Sequence, residues 1–117
     1  MTKYTVKDRD REIWFEGELL AQISSHTPGK TRWIELALYR TEAGSYVLAG
    51  GGMSTRPGEL NRMWAEISDE PDGVIEFLYL TNDHQQRFLP NTARALLKQA
   101  STVDEKVRLA YTTQHVA

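Results

Sequence analysis

Gly50-Gly51-Gly52-Met53-Ser54-Thr55-Arg56 is the stretch whose residue types come nearest to binding a small ligand. Glycine lets a backbone approach a ligand closely, unpaired N–H groups at the start of a helix attract negative charge, and Arg56 adds a cation. Gly51, Gly52, Ser54, Thr55 and Arg56 are therefore the candidate anion-binding residues, for a phosphate or a nucleotide. The spacing fits neither the GxGxxG nor the Walker pattern, so the plain alternative is a flexible loop that ends a strand.

Other residues that could do chemistry are set against blander roles. Glu66, Asp69, Glu70, Asp72 and Glu76 follow one another with no basic residue between them. Paired carboxylates serve acid–base work or hold Mg²⁺. A solvated helix end and turn is the stronger account of them, and a basic partner surface is the middle reading. Ser24-Ser25-His26 and Asp83-His84 offer nucleophile and base types. Neighbours on a strand point to opposite faces, and no GxSxG elbow surrounds either cluster, so turn and cap chemistry is expected. His26, His84 and His115 lack ligand spacing, and no metal site is expected. Trp14, Trp33 and Trp64 with Tyr39, Tyr46 and Tyr79 form either a stacking platform for single-stranded nucleic acid or core and cross-strand pairs. The net charge of −2 favours the second, because affinity for nucleic acid rests on clustered Lys and Arg. No catalytic residue and no cofactor is assigned.

The 117 residues suit one domain. With no cysteine there is no disulfide, thiolate nucleophile or Cys-ligated zinc, and a reducing compartment fits. No apolar leader follows Met1, and no apolar run approaches the ~20 residues that span a bilayer, so a cytoplasmic protein is expected, away from membranes.

The elements that would position these residues follow from periodicity. Strands are expected at about 3–7 and 11–16, joined at Asp8-Arg9-Asp10-Arg11. Alternation runs on to Ile23, with Gly17 marking a bulge or bend. Thr27-Pro28-Gly29-Lys30 ends that strand. Strands at about 31–41 and 45–50 pair around Ala43-Gly44, where Gly44 supplies a positive φ. Gly50-Gly51-Gly52 then closes the strand region. Leu60, Met63, Trp64 and Ile67 sit at i, i+3, i+4 and i+7 and predict a helix, with Ser54 or Thr55 as cap and with Leu60 and Trp64 on the sheet. Val74-Ile75-Glu76-Phe77-Leu78-Tyr79-Leu80 reads as an interior strand. Asn82 with Gln85 predicts a short helix over 83–88. A single helix over 91–111 is expected, kinked at 101–102, followed by a frayed tail at 112–117. The fold class is α+β: about five mostly antiparallel strands with helices packed after and against them.

Phe15-x-Gly17-x-Leu19-Leu20-Ala21, then Leu38-Tyr39-Arg40-Thr41-x-x-Gly44-x-Tyr46-Val47, then Phe88-Leu89-Pro90 into Ala95-Leu96-Leu97, resemble the EXLDI family of small bacterial proteins over about residues 4–100. Two departures stand out. Val103-Asp104-Glu105-Lys106-Val107 replaces the terminal Glu-x-Leu-Asp-Ile, and the ribbon-helix-helix-like segment of longer members has no counterpart before the first strand. The resemblance implies a fold and a bacterial origin, such as a phage or other mobile element. It implies no activity.

The expected function is a small non-enzymatic binding or regulatory module that contacts another protein, or a second copy of itself, through strand edges or the last helix. Val103, Val107, Ala110 and Tyr111 are its candidate partner surface, with residues 91–100 as core and 103–111 at the periphery. An anion- or nucleotide-binding small enzyme using residues 50–56 is the first alternative, and a nucleic-acid-associated regulator the second.

Overall fold

Up to Ser68, each strand pairs with the one made just before it. In the computed structural model, which describes residues 1–113, β1 (Thr2–Asp8), β2 (Arg11–Ser24), β3 (Arg32–Thr41), β4 (Tyr46–Ser54) and β5 (Arg62–Ser68) form one antiparallel sheet in that order. Helix α1 (Pro71–Leu78), a two-stranded hairpin of β6 (Leu80–Thr81) and β7 (Arg87–Phe88), and helices α2 (Asn91–Ser101) and α3 (Glu105–Thr112) follow. The α+β class is as the sequence indicates. Residues 114–117, most of the tail expected to fray, lie outside the described residues.

The turn chemistry acts where it was read. Gly44 has φ 91°, its N–H donates to the Thr41 carbonyl at 2.9 Å, and Thr41 N–H donates to Ser45 at 2.8 Å, which closes the β3–β4 hairpin. The β1–β2 hairpin turns between Asp8 and Arg11. Strand β2 is shared between two partners: its first half pairs with β1 and its second with β3, and only Gly17 faces both, opposite Thr2 and Thr41. The register shift lies between Leu19 and Ala21, not at Gly17. What Gly17 permits is close approach, since a Cβ there would stand 2.2 Å from the Arg40 carbonyl oxygen. The sheet curls until β1 meets β5: Arg9 N–H donates to the Met63 carbonyl at 2.8 Å, and Asp8 Oδ1 accepts from Ala65 N–H at 3.2 Å.

Curling gives the sheet two buried faces. Inside the curl, Val6, Phe15 and Val47 pack with Tyr4, Ile13 and Tyr39, and the Phe15 and Tyr39 rings meet edge-on at 5.2 Å. On the front face, Leu20, Ala21, Leu36, Leu38, Tyr46 and Leu48 meet Val74, Ile75 and Leu78 of α1, Ala93, Leu96, Leu97 and Ala100 of α2, and Val107 of α3. Each large aliphatic side chain buried there contributes about 1.5–3 kcal/mol.

Four local expectations are corrected by this packing. The stripe from Leu60 to Ile67 is not a helix. Residues Arg62–Ser68 are β5, because all seven pair with β4 from Tyr46 to Gly52, a row of backbone groups that a helix would leave open. Trp64 does pack on the front core, whereas Leu60 sits in the turn before β5 and is 85% exposed. The glycines do not end the strand region, since β4 runs through them to Ser54. The run from Val74 is not a strand but most of α1: Pro71 suits the first turn, and Val74, Ile75 and Leu78 fall on one helical face. Asn82 caps no helix. Its Oδ1 accepts from His84 N–H at 2.9 Å and Gln86 N–H at 3.0 Å, tying the β6–β7 turn, where Gln85 has φ 62°.

The fifth correction bears on function. The expected helix over 91–111 is two helices, broken at residues 102–104. Asp104 is the N-cap of α3, its carboxylate accepting from Val107 N–H at 2.9 Å. Residues 91–100 are core as expected, but so is Val107, with no exposed surface at all.

Candidate functional site

The front face of the sheet is longer than the helices that cover it. Rows across β3, β4 and β5 run Leu38–Leu48–Glu66, then Leu36–Gly50–Trp64, then Ile34–Gly52–Arg62. Helix α2 lies over β2 and β3, α1 lies over β4 and β5, and α3 bridges α1 and α2. The last row lies beyond all three, with Ile34, Gly52 and Arg62 exposed.

The glycines shape what is left open. The indole of Trp64 lies flat across Gly50, so close that a Cβ would sit 2.2 Å from Trp64 Cζ2, and the Met63 sulfur would stand 2.7 Å from a Cβ on Gly51. The Phe77 ring of α1 meets Trp64 at 5.2 Å. Between this pair, Leu36, Leu80 and Pro90 runs a half-open cleft of about 780 Å³, with Arg9 and Arg62 at its rim. Through Ile34, Asn61 and Arg62 it continues into a second, more polar cleft of about 930 Å³, which Lys30, Arg32, Trp33, Glu59 and Leu60 line. Ile34, Leu60, Phe77 and Leu80 border this continuous groove, each exposed by more than two-fifths.

The polar half is rigidly wired. Glu59 accepts from Arg32 Nε at 3.0 Å and from Ser54 Oγ at 2.6 Å, and Arg32 makes a second contact through its Nη2. These bonds, chiefly that from Arg32, hold the Glu59 carboxyl at about 2. Among the described residues, Arg9 and Arg62 enter no ion pair, and the Lys30 ammonium donates only to the Ser25 carbonyl, at 3.0 Å.

The candidate anion residues lie along one wall of this groove but form no anion cradle. Gly51 and Gly52 are paired to both β3 and β5. Ser54 N–H donates to Asn61 Oδ1, Thr55 N–H to the Thr31 carbonyl and Arg56 N–H to Ser54 Oγ. No helix starts there, so the helix N-terminus on which the anion reading depends does not exist.

The candidate partner surface on the last helix is likewise dispersed. Val103 is 60% exposed in the link, Val107 is core, and Ala110 and Tyr111 are half-buried against the core cluster. What fixes α3 is a buried polar hub. The Asp104 carboxylate, 3% exposed, accepts from Arg40 Nη1 at 2.7 Å and from the Tyr46 hydroxyl at 3.1 Å, in addition to capping the helix. Arg40 also donates to Glu18 at 3.0 Å. Burial first, then the Asp104 charge, pushes the Tyr46 hydroxyl up to about 12. Strand edges offer little: Gln99 Oε1 accepts from Gln22 N–H of β2 at 2.6 Å, and Asp8 covers β5.

The remaining candidates do turn and surface work. Ser25 Oγ accepts from Ile34 N–H, Ser24 Oγ accepts from His26 N–H, and the His26 ring packs on Trp33 at 4.3 Å. Glu70 faces Lys106, and Glu76 accepts from Arg87. His115 lies outside the described residues, among which no group of three or more His, Asp or Glu gathers to hold a metal. The aromatic residues are scattered: Tyr39 and Tyr46 are core, Trp14 stands exposed beside Lys3, and of the three tryptophans Trp33 lines the polar cleft and Trp64 the apolar one. Among the described residues no helix is long and apolar enough to cross a membrane. The groove residues Ile34, Trp64, Phe77, Leu80 and Pro90 come from β3, β5, α1, β6 and the start of α2, and no local pattern links them. Comparison with family models, with curated proteins and with solved structures returned no match.

Proposed function

We propose that this protein is a non-enzymatic binding module that acts through protein–protein contacts, taking a segment of its partner into the groove at the uncovered end of the sheet. The observation that carries this reading is the apolar floor itself. Trp64, Phe77, Ile34 and Leu80 are gathered on one open surface, while the rest of the front face is covered by helices. A contiguous exposed apolar patch rimmed by polar groups marks an interaction site. Small-molecule sites are clefts or cavities that bury most of their ligand. This groove is half-open along its length and runs on into the polar cleft, which suits a chain segment better. The likeness to the EXLDI family adds no activity to this reading.

Gly52 provides the test. A Cβ there meets nothing within 4 Å, so Gly52→Leu fills the groove between Ile34 and Arg62 without disturbing the sheet. Peptides selected on the native protein from a random library should lose about tenfold or more in affinity for Gly52→Leu and keep it for Leu109→Ser on the outer side of α3. Selected peptides that bind Gly52→Leu as well as the native chain would overturn the reading.

A further inference from the structure

We infer that the partner segment is acidic: apolar side chains seated on Trp64 and Phe77, followed by carboxylates over Arg62, Arg9 and Lys30. This rests on the groove being the contact surface proposed above.

The argument is one of charge. The chain carries a net −2, yet four cations, Arg9, Lys30, Arg32 and Arg62, line the two clefts against a single carboxylate, Glu59. Glu59 is already engaged by Arg32 and Ser54. It therefore leaves the other three cations without an acidic partner among the described residues. Elsewhere Arg11 holds Asp8, Arg40 holds Asp104 and Glu18, Arg87 holds Glu76 and Arg108 holds Glu105, while Arg56 donates to Thr31 Oγ1 and Arg94 to Asn91 Oδ1. Arg62 stands where the apolar and polar clefts join, across Gly52 from Ile34. A guanidinium there offers two parallel N–H donors in the geometry a carboxylate accepts. An apolar floor with a cationic rim fixes both the composition and the direction of the segment. Its apolar side chains lie toward α1 and Pro90, with Arg9 beside them, and its carboxylates lie over Arg62 toward the β2–β3 and β4–β5 turns. A basic segment would be repelled, and a neutral one would leave the cations unpaired.

The experiment uses three terminally blocked synthetic peptides: one with Leu and Phe followed by a run of Glu, one with Gln for each Glu, and one with Lys for each Glu. Binding is followed by amide shifts of the full-length protein. The Glu peptide should shift Ile34, Trp64, Phe77 and Leu80, bind about tenfold more tightly than the Gln peptide, and weaken as salt rises. Arg62→Glu should reverse the order, weakening the Glu peptide about tenfold and favouring the Lys peptide. If the Gln and Glu peptides bind the groove equally, the acidic partner is wrong and the groove stands. If no peptide shifts groove amides while dodecanoate does, or if the native chain dimerises and Gly52→Leu returns it to monomer, the peptide-binding reading falls with it.

Discussion

At one end of the sheet's front face, Leu38, Tyr46 and Leu48 lie beneath three helices, each at most 1% exposed. At the other end of the same strands, Ile34 is half exposed and Gly52 and Arg62 face solvent. The covered end contains the riskier chemistry, a carboxylate at 3% exposure, and resolves it completely: ion pair, hydroxyl and helix cap converge on Asp104. The open end leaves cations and apolar side chains without partners from the chain. Where this fold needs to be shut, it satisfies every buried polar group, and no buried side-chain N or O atom among the described residues lacks a partner. What stays unsatisfied is on the surface, and at the open end apolar side chains and unpaired cations border one continuous groove, a contrast that locates the site.

The contrast breaks most sharply at Asp104. Asp104→Ala removes the cap of α3 and strands the buried Tyr46 hydroxyl, and it should cost about 3–5 kcal/mol in urea unfolding. A loss below about 1 kcal/mol would mean that the hub does not hold the covered end together. The same end should weaken in alkali. The folded chain keeps the Tyr46 proton up to about 12, whereas an unfolded tyrosine releases it near 10. Stability is therefore fully present below pH 10 and falls by up to about 3 kcal/mol as pH rises through 12. Tyr46→Phe should flatten that limb of the pH profile.

These effects trace how far the sequence was legible. The β1–β2 and β3–β4 hairpins were readable because their signals are local: a turn residue and strict alternation. Strand β5 was not, because Leu60, Met63, Trp64 and Ile67 satisfy a helical spacing by coincidence. Only the open edge of β4 decides the matter, and that edge exists once the sheet has formed. Likewise Val74, Ile75 and Leu78 form a helical face only once a sheet stands below it. Asp104 was visible as a charge but not as a hub, since its partners Arg40 and Tyr46 are some sixty residues away, at separations of 64 and 58. The groove was the least legible feature, assembled from five elements.

Smaller effects sharpen the comparison at the open end. Gly50→Ala should cost about 1–3 kcal/mol, because the Trp64 ring must leave its place over β4, and tryptophan emission should shift with it. Unchanged emission would show that the ring does not lie there. Smallest of all, Ile34→Ser should change stability by no more than about 0.5 kcal/mol, whereas Leu38→Ala, four residues along the same strand, should cost about 2–5. Equal losses would erase the distinction between the two ends.

The order of elements in this meander also sets a clock. Strands β1 to β5 can pair as they are made, and the core inside the curl draws on nothing beyond Ala65. The front face waits, because its covers run from Val74 to Val107. At about 5–20 residues per second, roughly 2–8 s of synthesis separate Ser68 from Val107. For those seconds Leu36, Leu38 and Leu48 are as open as Ile34, and the nascent sheet shows one uninterrupted apolar surface. Its two ends begin to differ as α1 and α2 arrive, and the covered end is locked when Asp104 finds Arg40 and Tyr46. Until that moment, a chaperone that holds apolar chains meets a larger apolar surface than the mature groove.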